Sequence, residues 1–157
     1  MSIGGDRKLN VYLVCSSGGH LAQLISLRPW WSQTDRTWVT FNTADARSQL
    51  QSERTIWAFH PTTRNLSNLL RNCALAFRTL RRDRPDIVVS DGAGVALPFF
   101  VIARMFGIHT AYIEVFDRID SATLTARLCR PFTTIFCVQW DRQLELYPGS
   151  HNIGPLL

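Results

Sequence analysis

Short apolar runs of strand length alternate with helix-length segments almost from end to end of this chain, and that alternation constrains its fold more than any other feature. Consecutive strands separated by a helix pair in parallel, because a parallel crossover needs roughly a dozen residues or more. The pattern predicts strands near Asn10–Cys15, Thr37–Phe41, Thr55–Ala58, Asp86–Ser90, His109–Ile113 and Thr134–Val138, with a short last one at His151–Ile153. Helices are expected near Gly19–Leu27, Ala44–Gln51, Leu66–Asp83, Leu97–Phe106, Ser121–Cys129 and Trp140–Leu146. Pro98 is compatible with its helix only close to the start, where proline is tolerated, and Gly107 is placed to stop the same helix.

The reading is thus one α/β domain over residues 1–157, a parallel sheet flanked by helices. Apolar residues make up 46% and charged ones 18%, the balance of a chain with a packed core rather than a disordered one. No internal repeat or long linker argues for a boundary. Cys15, Cys73, Cys129 and Cys137 are scattered in apolar surroundings, without the paired spacing of a zinc site, so reduced core thiols are expected and a metal is not. No stretch reaches the ~20 apolar residues that span a bilayer, and Met1–Asn10 is polar, unlike a signal peptide. A cytosolic protein able to lie on a membrane surface is the expectation. The net charge of +5 suits anionic headgroups, diphosphates or nucleic acid.

In an open parallel sheet, ligands gather at the carboxyl ends of the strands near the point where strand order reverses. Three loops with unusual chemistry sit at such ends. In the first, Ser16-Ser17-Gly18-Gly19-His20, glycines allow close backbone approach, the free N–H groups of the next helix favour an anion, and His20 titrates near neutrality. It lacks the spacing of a dinucleotide fingerprint and the Gly-Lys-Ser/Thr ending of a P-loop, which leaves an anion site of unspecified type or an ordinary turn. In the second, Ser90-Asp91-Gly92-Ala93-Gly94, the glycines Gly92 and Gly94 permit positive φ or close ligand approach. Asp91 there either binds a sugar hydroxyl or, as is commoner, caps the helix or braces the turn. The third runs from Glu114 to Asp120. Glu114 directly follows an apolar strand, where a general base or sugar-binding carboxylate is useful, and Asp117 stands second to it or pairs with Arg118 or another arginine. Asp120 or Ser121 is the expected cap of the following helix.

Within Leu66–Asp83, the residues Leu66, Leu69, Leu70, Cys73, Phe77 and Leu80 recur at helical spacing and are expected to pack on the sheet, with Arg71, Arg78 and Arg82 opposite. That arginine side is a solvated face or a contact for anionic lipid headgroups or a lipid-linked diphosphate, aided by Trp30 and Trp31 if they are exposed. Nucleic acid fits less well, since the aromatics lie in apolar runs rather than among basic residues.

Five segments in order, Ser17–Leu21, Ser90–Pro98, Tyr112–Asp120, Val138–Trp140 and Ile153–Leu156, closely resemble the PssD/CpsF-type polysaccharide biosynthesis proteins. These are bacterial relatives of the membrane-recruiting, Alg-type subunit of the eukaryotic two-subunit N-acetylglucosaminyltransferase of lipid-linked oligosaccharide synthesis. A more distant similarity reaches the N-terminal half of the peptidoglycan lipid-intermediate N-acetylglucosaminyltransferase. The resemblance implies a Rossmann-like domain equivalent to the N-terminal, acceptor-side half of a GT-B glycosyltransferase. It also implies a separate donor-binding subunit, a UDP-sugar in the shared cleft and a lipid-linked acceptor at the membrane, with no cofactor. By the same carry-over Ser17, Gly18 and Gly19 approach the diphosphate. Asp91, Gly92, Gly94 and Asp117 line the acceptor side, and His20 or Glu114 deprotonates or orients the acceptor hydroxyl. The eukaryotic subunit usually begins with a membrane-anchoring helix that is missing here, so peripheral attachment to the cytoplasmic face of the inner membrane is expected. A scaffold that recruits a catalytic partner without contributing a catalytic side chain is the alternative, and an independent nucleotide-binding module is a third reading.

Overall fold

The computed structural model describes residues 7–157, so most of the polar opening segment Met1–Asn10 lies outside the described residues. Seven strands form one sheet: β1 (Asn10–Val14), β2 (Asp35–Phe41), β3 (Thr55–Ala58), β4 (Ile87–Ser90), β5 (His109–Ile113), β6 (Ile135–Val138) and β7 (His151–Asn152). Every neighbouring pair is parallel, in the order β3-β2-β1-β4-β5-β6-β7. Strand order therefore reverses between β1 and β4, which pair from Val11 opposite Ile87 to Val14 opposite Ser90. The loops that follow these two strands consequently open side by side at the carboxyl edge.

The crossovers are α1 (Gly19–Ser26), α2 (Arg28–Trp31), α3 (Ala44–Gln49), α4 (Leu66–Asp83), α5 (Ala96–Met105), α6 (Leu124–Cys129) and α7 (Asp141–Leu146). Both faces of the sheet are covered, so β1 is buried on both sides and reads as an unbroken apolar run. Alternate residues feed two cores. Tyr12, Val14, Val88 and Tyr112 pack with α4, α5 and α6, whereas Val11, Leu13, Trp38 and Val89 pack with Leu21 and Leu24 of α1 and Ala46 of α3. Pro98 falls in the first turn of α5, as its missing N–H requires. Gly107, at φ +70°, closes that helix: its N–H and that of Ile108 reach back to the carbonyls of Arg104 and Ala103.

Two expectations are corrected. The sheet-facing side of α4 is Asn68, Asn72, Leu75, Ala76, Thr79 and Leu80; of the stripe read from the sequence only Leu80 is fully buried, and Leu66, Leu70 and Phe77 are exposed. The cause is hydrogen bonding. Asn72 accepts from the Phe59 N–H and donates to the Phe59 carbonyl, both at 2.9 Å, while Asn68 donates to the Pro61 carbonyl, so the segment after β3 needs amides where leucines were expected. The second concerns the cap of α6, which is Thr123, accepting from the Ala126 N–H, while Asp120 instead pairs with Arg142. The short helix α2 was not anticipated. In it Trp31 is buried, its indole N–H donating to the Leu24 carbonyl, and only Trp30 is exposed.

Candidate functional site

The topological reversal brings the Gly18–His20 turn after β1 against the Asp91–Gly94 turn after β4. His20, at the second position of α1, directs Nδ1 toward Oδ1 of Asp91 at 3.4 Å. Neither of those two atoms has a hydrogen-bond partner, and the Asp91 side chain is fully buried. The other carboxylate oxygen of Asp91 accepts from Gln23 Nε2 at 3.1 Å. Asp91 is thus not the helix cap that its position suggested, since the N-cap of α5 falls on Val95.

Burial pushes the Asp91 carboxyl up to about 6, against the opposing pull of His20. Burial drags the imidazole of His20 down, but the Asp91 carboxylate, with a smaller contribution from Asp117, outweighs it and the His20 pKa ends above its ordinary value. The result is a close imidazole–carboxylate pair in which Nδ1 of the ring is turned toward Asp91.

Gly92 makes that packing feasible. It sits at φ +117°, and a Cβ there would lie 2.8 Å from the Tyr112 hydroxyl and 3.4 Å from Cε1 of His20. Around the pair opens a polar cavity of about 230 Å³ lined by His20, Asp91, Tyr112, Asp117, Arg118 and Thr123. Asp117 thus faces His20 across the pocket, and among the described residues it forms no ion pair with an arginine.

Glu114 occupies a different position from the one its sequence context suggested. It is fully buried, and its oxygens accept from the Val115 N–H, the Thr123 N–H and hydroxyl, and the Tyr147 hydroxyl. With its acceptor sites engaged, it holds the 114–123 loop and does not line the pocket. Of the first turn, Ser17 is half-buried, and Gly18 and Gly19 are exposed; the Gly18 N–H donates to Asp45 Oδ2 at 3.1 Å, so a carboxylate already takes one amide expected to meet a phosphate. Gly94 packs against Thr62.

Sequence reasoning missed a set of buried amides that positions these loops. Gln23 joins Asp91 to Gln139, whose Nε2 donates to Gln23 Oε1 and to the Glu114 carbonyl, both at 2.9 Å. Gln143 donates to the carbonyls of Val115 and Arg118. The available signal was a glutamine between Leu21 and Leu24 on the buried face of α1, where an apolar residue is the default. Among the described residues no group of three His, Cys, Asp or Glu side chains is arranged to hold a metal ion. No helix of the described residues is long and apolar enough to cross a membrane.

The family described as "Oligosaccharide biosynthesis protein Alg14 like" matches residues 11–156, and the chain belongs to that family. The protein named UDP-N-acetylglucosamine transferase subunit ALG14 from Rattus norvegicus is 25% identical over 182 residues, covering 96% of this chain and 84% of its own length. Its counterpart of the same name in Homo sapiens is 23% identical over 188 residues, covering 100% and 87%. Among solved structures, MurG of Acinetobacter baumannii superposes with a TM-score of 0.75 at 18% identity, over 93% of this chain and 45% of that one. UDP-N-acetylglucosamine 2-epimerase of Rickettsia bellii superposes with a TM-score of 0.71 at 11% identity, over 95% and 45%. The chain spans just under half the length of these two structures, and the likeness is one of fold: a Rossmann-like half of the GT-B architecture.

Proposed function

We propose that this chain is the acceptor-side, membrane-recruiting subunit of a two-subunit glycosyltransferase of the PssD/CpsF type. It acts with a donor-binding partner to move a sugar from a UDP-sugar to a lipid-diphosphate-linked saccharide in capsule, exopolysaccharide or lipid-linked oligosaccharide synthesis. The observation that carries this reading is the His20–Asp91 pair at the switch point of the sheet, in a polar pocket open at the carboxyl edge. Relatives named as subunits of a UDP-N-acetylglucosamine transferase support the split between two chains.

In this reading His20 is the general base. Its free ring nitrogen takes the proton of the acceptor hydroxyl as that oxygen bonds to the anomeric carbon, and the bond from that carbon to UDP breaks with its electron pair leaving on the diphosphate. Asp91 holds the ring and stabilises the imidazolium that forms. Arg118, with Asp117 in the same pocket, is the cation available to the acceptor diphosphate. Glu114 serves by fixing the loop that carries both.

In this reading the chain attaches to the cytoplasmic face of the inner membrane, and α4, whose exposed Leu66, Leu70 and Phe77 lie among Arg71, Arg78 and Arg81, supports contact with a membrane surface. The test is sugar transfer by the reconstituted pair of chains. His20→Ala is expected to lower transfer about 10²–10⁴-fold while the complex still assembles. Full transfer by the isolated chain would sink the two-subunit reading. Undiminished transfer by the assembled His20→Ala complex would make the chain a scaffold for its partner.

A further inference from the structure

Two backbone groups dictate the direction of a buried amide chain that ends on Asp91. The Glu114 carbonyl can only accept and the Leu156 N–H can only donate, and the Gln139 side chain meets both. Its Nε2 donates to that carbonyl at 2.9 Å and its Oε1 accepts from that N–H at 2.8 Å, so its amide is fixed in one orientation. Gln139 Nε2 also donates to Gln23 Oε1 at 2.9 Å, and the Phe116 N–H approaches the same oxygen at 3.4 Å. Gln23 is oriented in turn, with Nε2 and not its carbonyl oxygen placed 3.1 Å from Asp91 Oδ2. Both glutamines are buried, so solvent does not stand in for a lost partner.

That direction matters to the carboxylate. Reversed, Gln23 would turn its carbonyl oxygen on Asp91 Oδ2, and two acceptors meet without repulsion only when the carboxyl carries a proton. As oriented, the donor favours the ionised form and opposes the burial that raises the Asp91 carboxyl to about 6. It also occupies Oδ2, which leaves Oδ1 as the oxygen turned to His20 Nδ1 at 3.4 Å. The neighbouring groups do not replace it. Cys15 and Tyr112 lie near Asp91, and burial pushes the pKa of both up, so neither is charged near neutrality. Asp117 and Arg118 share the pocket with the pair, without an ion pair to either member among the described residues. Glu114 is engaged by Thr123 and Tyr147.

We propose that Gln139 and Gln23 are positioning residues of the His20–Asp91 pair: a relay, set in direction by the backbone at Glu114 and Leu156, that turns a donor on Asp91 and reserves Oδ1 for the histidine. The relay ties the pair to the end of β6 and to the segment that follows β7. Its use in transfer deepens, and rests on, the reading of His20 as the base, because Asp91 stabilises an imidazolium only while it is ionised.

The test is an NMR titration of the full chain that follows the Asp91 side-chain carboxyl carbon and the His20 ring. It compares the unaltered chain with Gln139→Met, which fills a similar space without a donor or an acceptor. Released from Gln139, Gln23 no longer holds Nε2 on Asp91. Loss of that donor should move the Asp91 midpoint up by about one pH unit or more, the size of one hydrogen bond to a charged group, and the His20 midpoint down as its counter-ion is neutralised. Simple loosening has the opposite sign, since water entering the site relieves burial and lowers the Asp91 midpoint. Gln23→Met deletes the last link and should raise Asp91 in the same way, which keeps the test decisive if Gln139→Met fails to fold. Asn72→Leu, the loss of a buried amide that serves another loop, should move neither midpoint. An Asp91 midpoint that stays or falls in the glutamine variants would overturn the relay. The reading of His20 as the base would then stand or fall separately, on transfer by the His20→Ala complex.

Discussion

His20 owes its basicity chiefly to one carboxylate, Asp91. Burial alone would lower its pKa, and the nearby Asp91 reverses the sign. Because the folded-state pKa of His20 lies above the unfolded one, the histidine's own contribution to stability is fully present below its ordinary value and is lost as pH rises through the raised one. In the proposed reaction activity runs the other way, since a general base must be unprotonated, so transfer should climb with pH across that same raised value. Asp91→Asn keeps an acceptor for Gln23 and removes the charge. The acid limb of the rate profile is then expected to move to lower pH, and the maximal rate to fall because the imidazolium loses its counter-ion. A pH–rate profile of the reconstituted complex, together with a histidine titration followed by NMR, checks both shifts; an unmoved acid limb would assign the titration to another group. The histidine was legible in the sequence because a strand, a glycine turn and a helix start announce it within a few residues. Its partner was not: Asp91 reads locally as a cap, and only the β1–β4 pairing brings the two turns together.

At the scale of elements, the same contrast separates strands from surfaces. Strand and helix positions followed from apolar runs and turn residues, and β3, β5 and α4 match their expected bounds. What the periodicity misjudged was which side of a helix faces inward, because hydrogen-bond demand of a neighbouring loop competes with hydrophobic burial. Asn72 in α4 tests this: Asn72→Leu makes the helix more apolar yet strands the Phe59 N–H and carbonyl, so it should destabilise the fold by about 1–2 kcal/mol in a denaturant titration. The loop from Glu114 to Thr123 makes the stronger case. Glu114→Ala leaves the donors of Val115, Thr123 and Tyr147 without their acceptor. At about 1–3 kcal/mol for each stranded buried donor, with partial relaxation, the loss should reach about 3–5 kcal/mol. A carboxylate with a purely chemical role would instead lower the rate and leave the unfolding midpoint where it was.

The molecule as a whole is polarised by its helices. The layer of α4, α5 and α6 carries Arg71, Arg78, Arg81, Arg82, Arg104 and Arg127, and its one carboxylate, Asp83, is paired with Arg82. The same layer exposes Leu66, Leu70, Phe77, Met105, Leu124 and Leu128. Arginines around exposed leucines and a phenylalanine suit the interface of an anionic bilayer, where aliphatic groups enter and cations stay at the headgroups. Since the carboxyl edge of the sheet adjoins the first turns of these helices, docking by this face would, under the proposed function, hold the His20 pocket at headgroup depth. Binding to vesicles should therefore rise with the fraction of anionic lipid and weaken as salt screens the arginines. Replacing Arg71 and Arg78 by glutamine removes two charges worth about 1 kcal/mol each near such a surface, so partitioning should weaken roughly thirtyfold at low salt and much less at high salt. Leu70→Ser with Phe77→Ser removes the apolar part and should weaken binding to a similar extent at every salt concentration. Sedimentation with vesicles of graded phosphatidylglycerol content separates the two, and partitioning indifferent to both pairs of substitutions would place the membrane contact on another face.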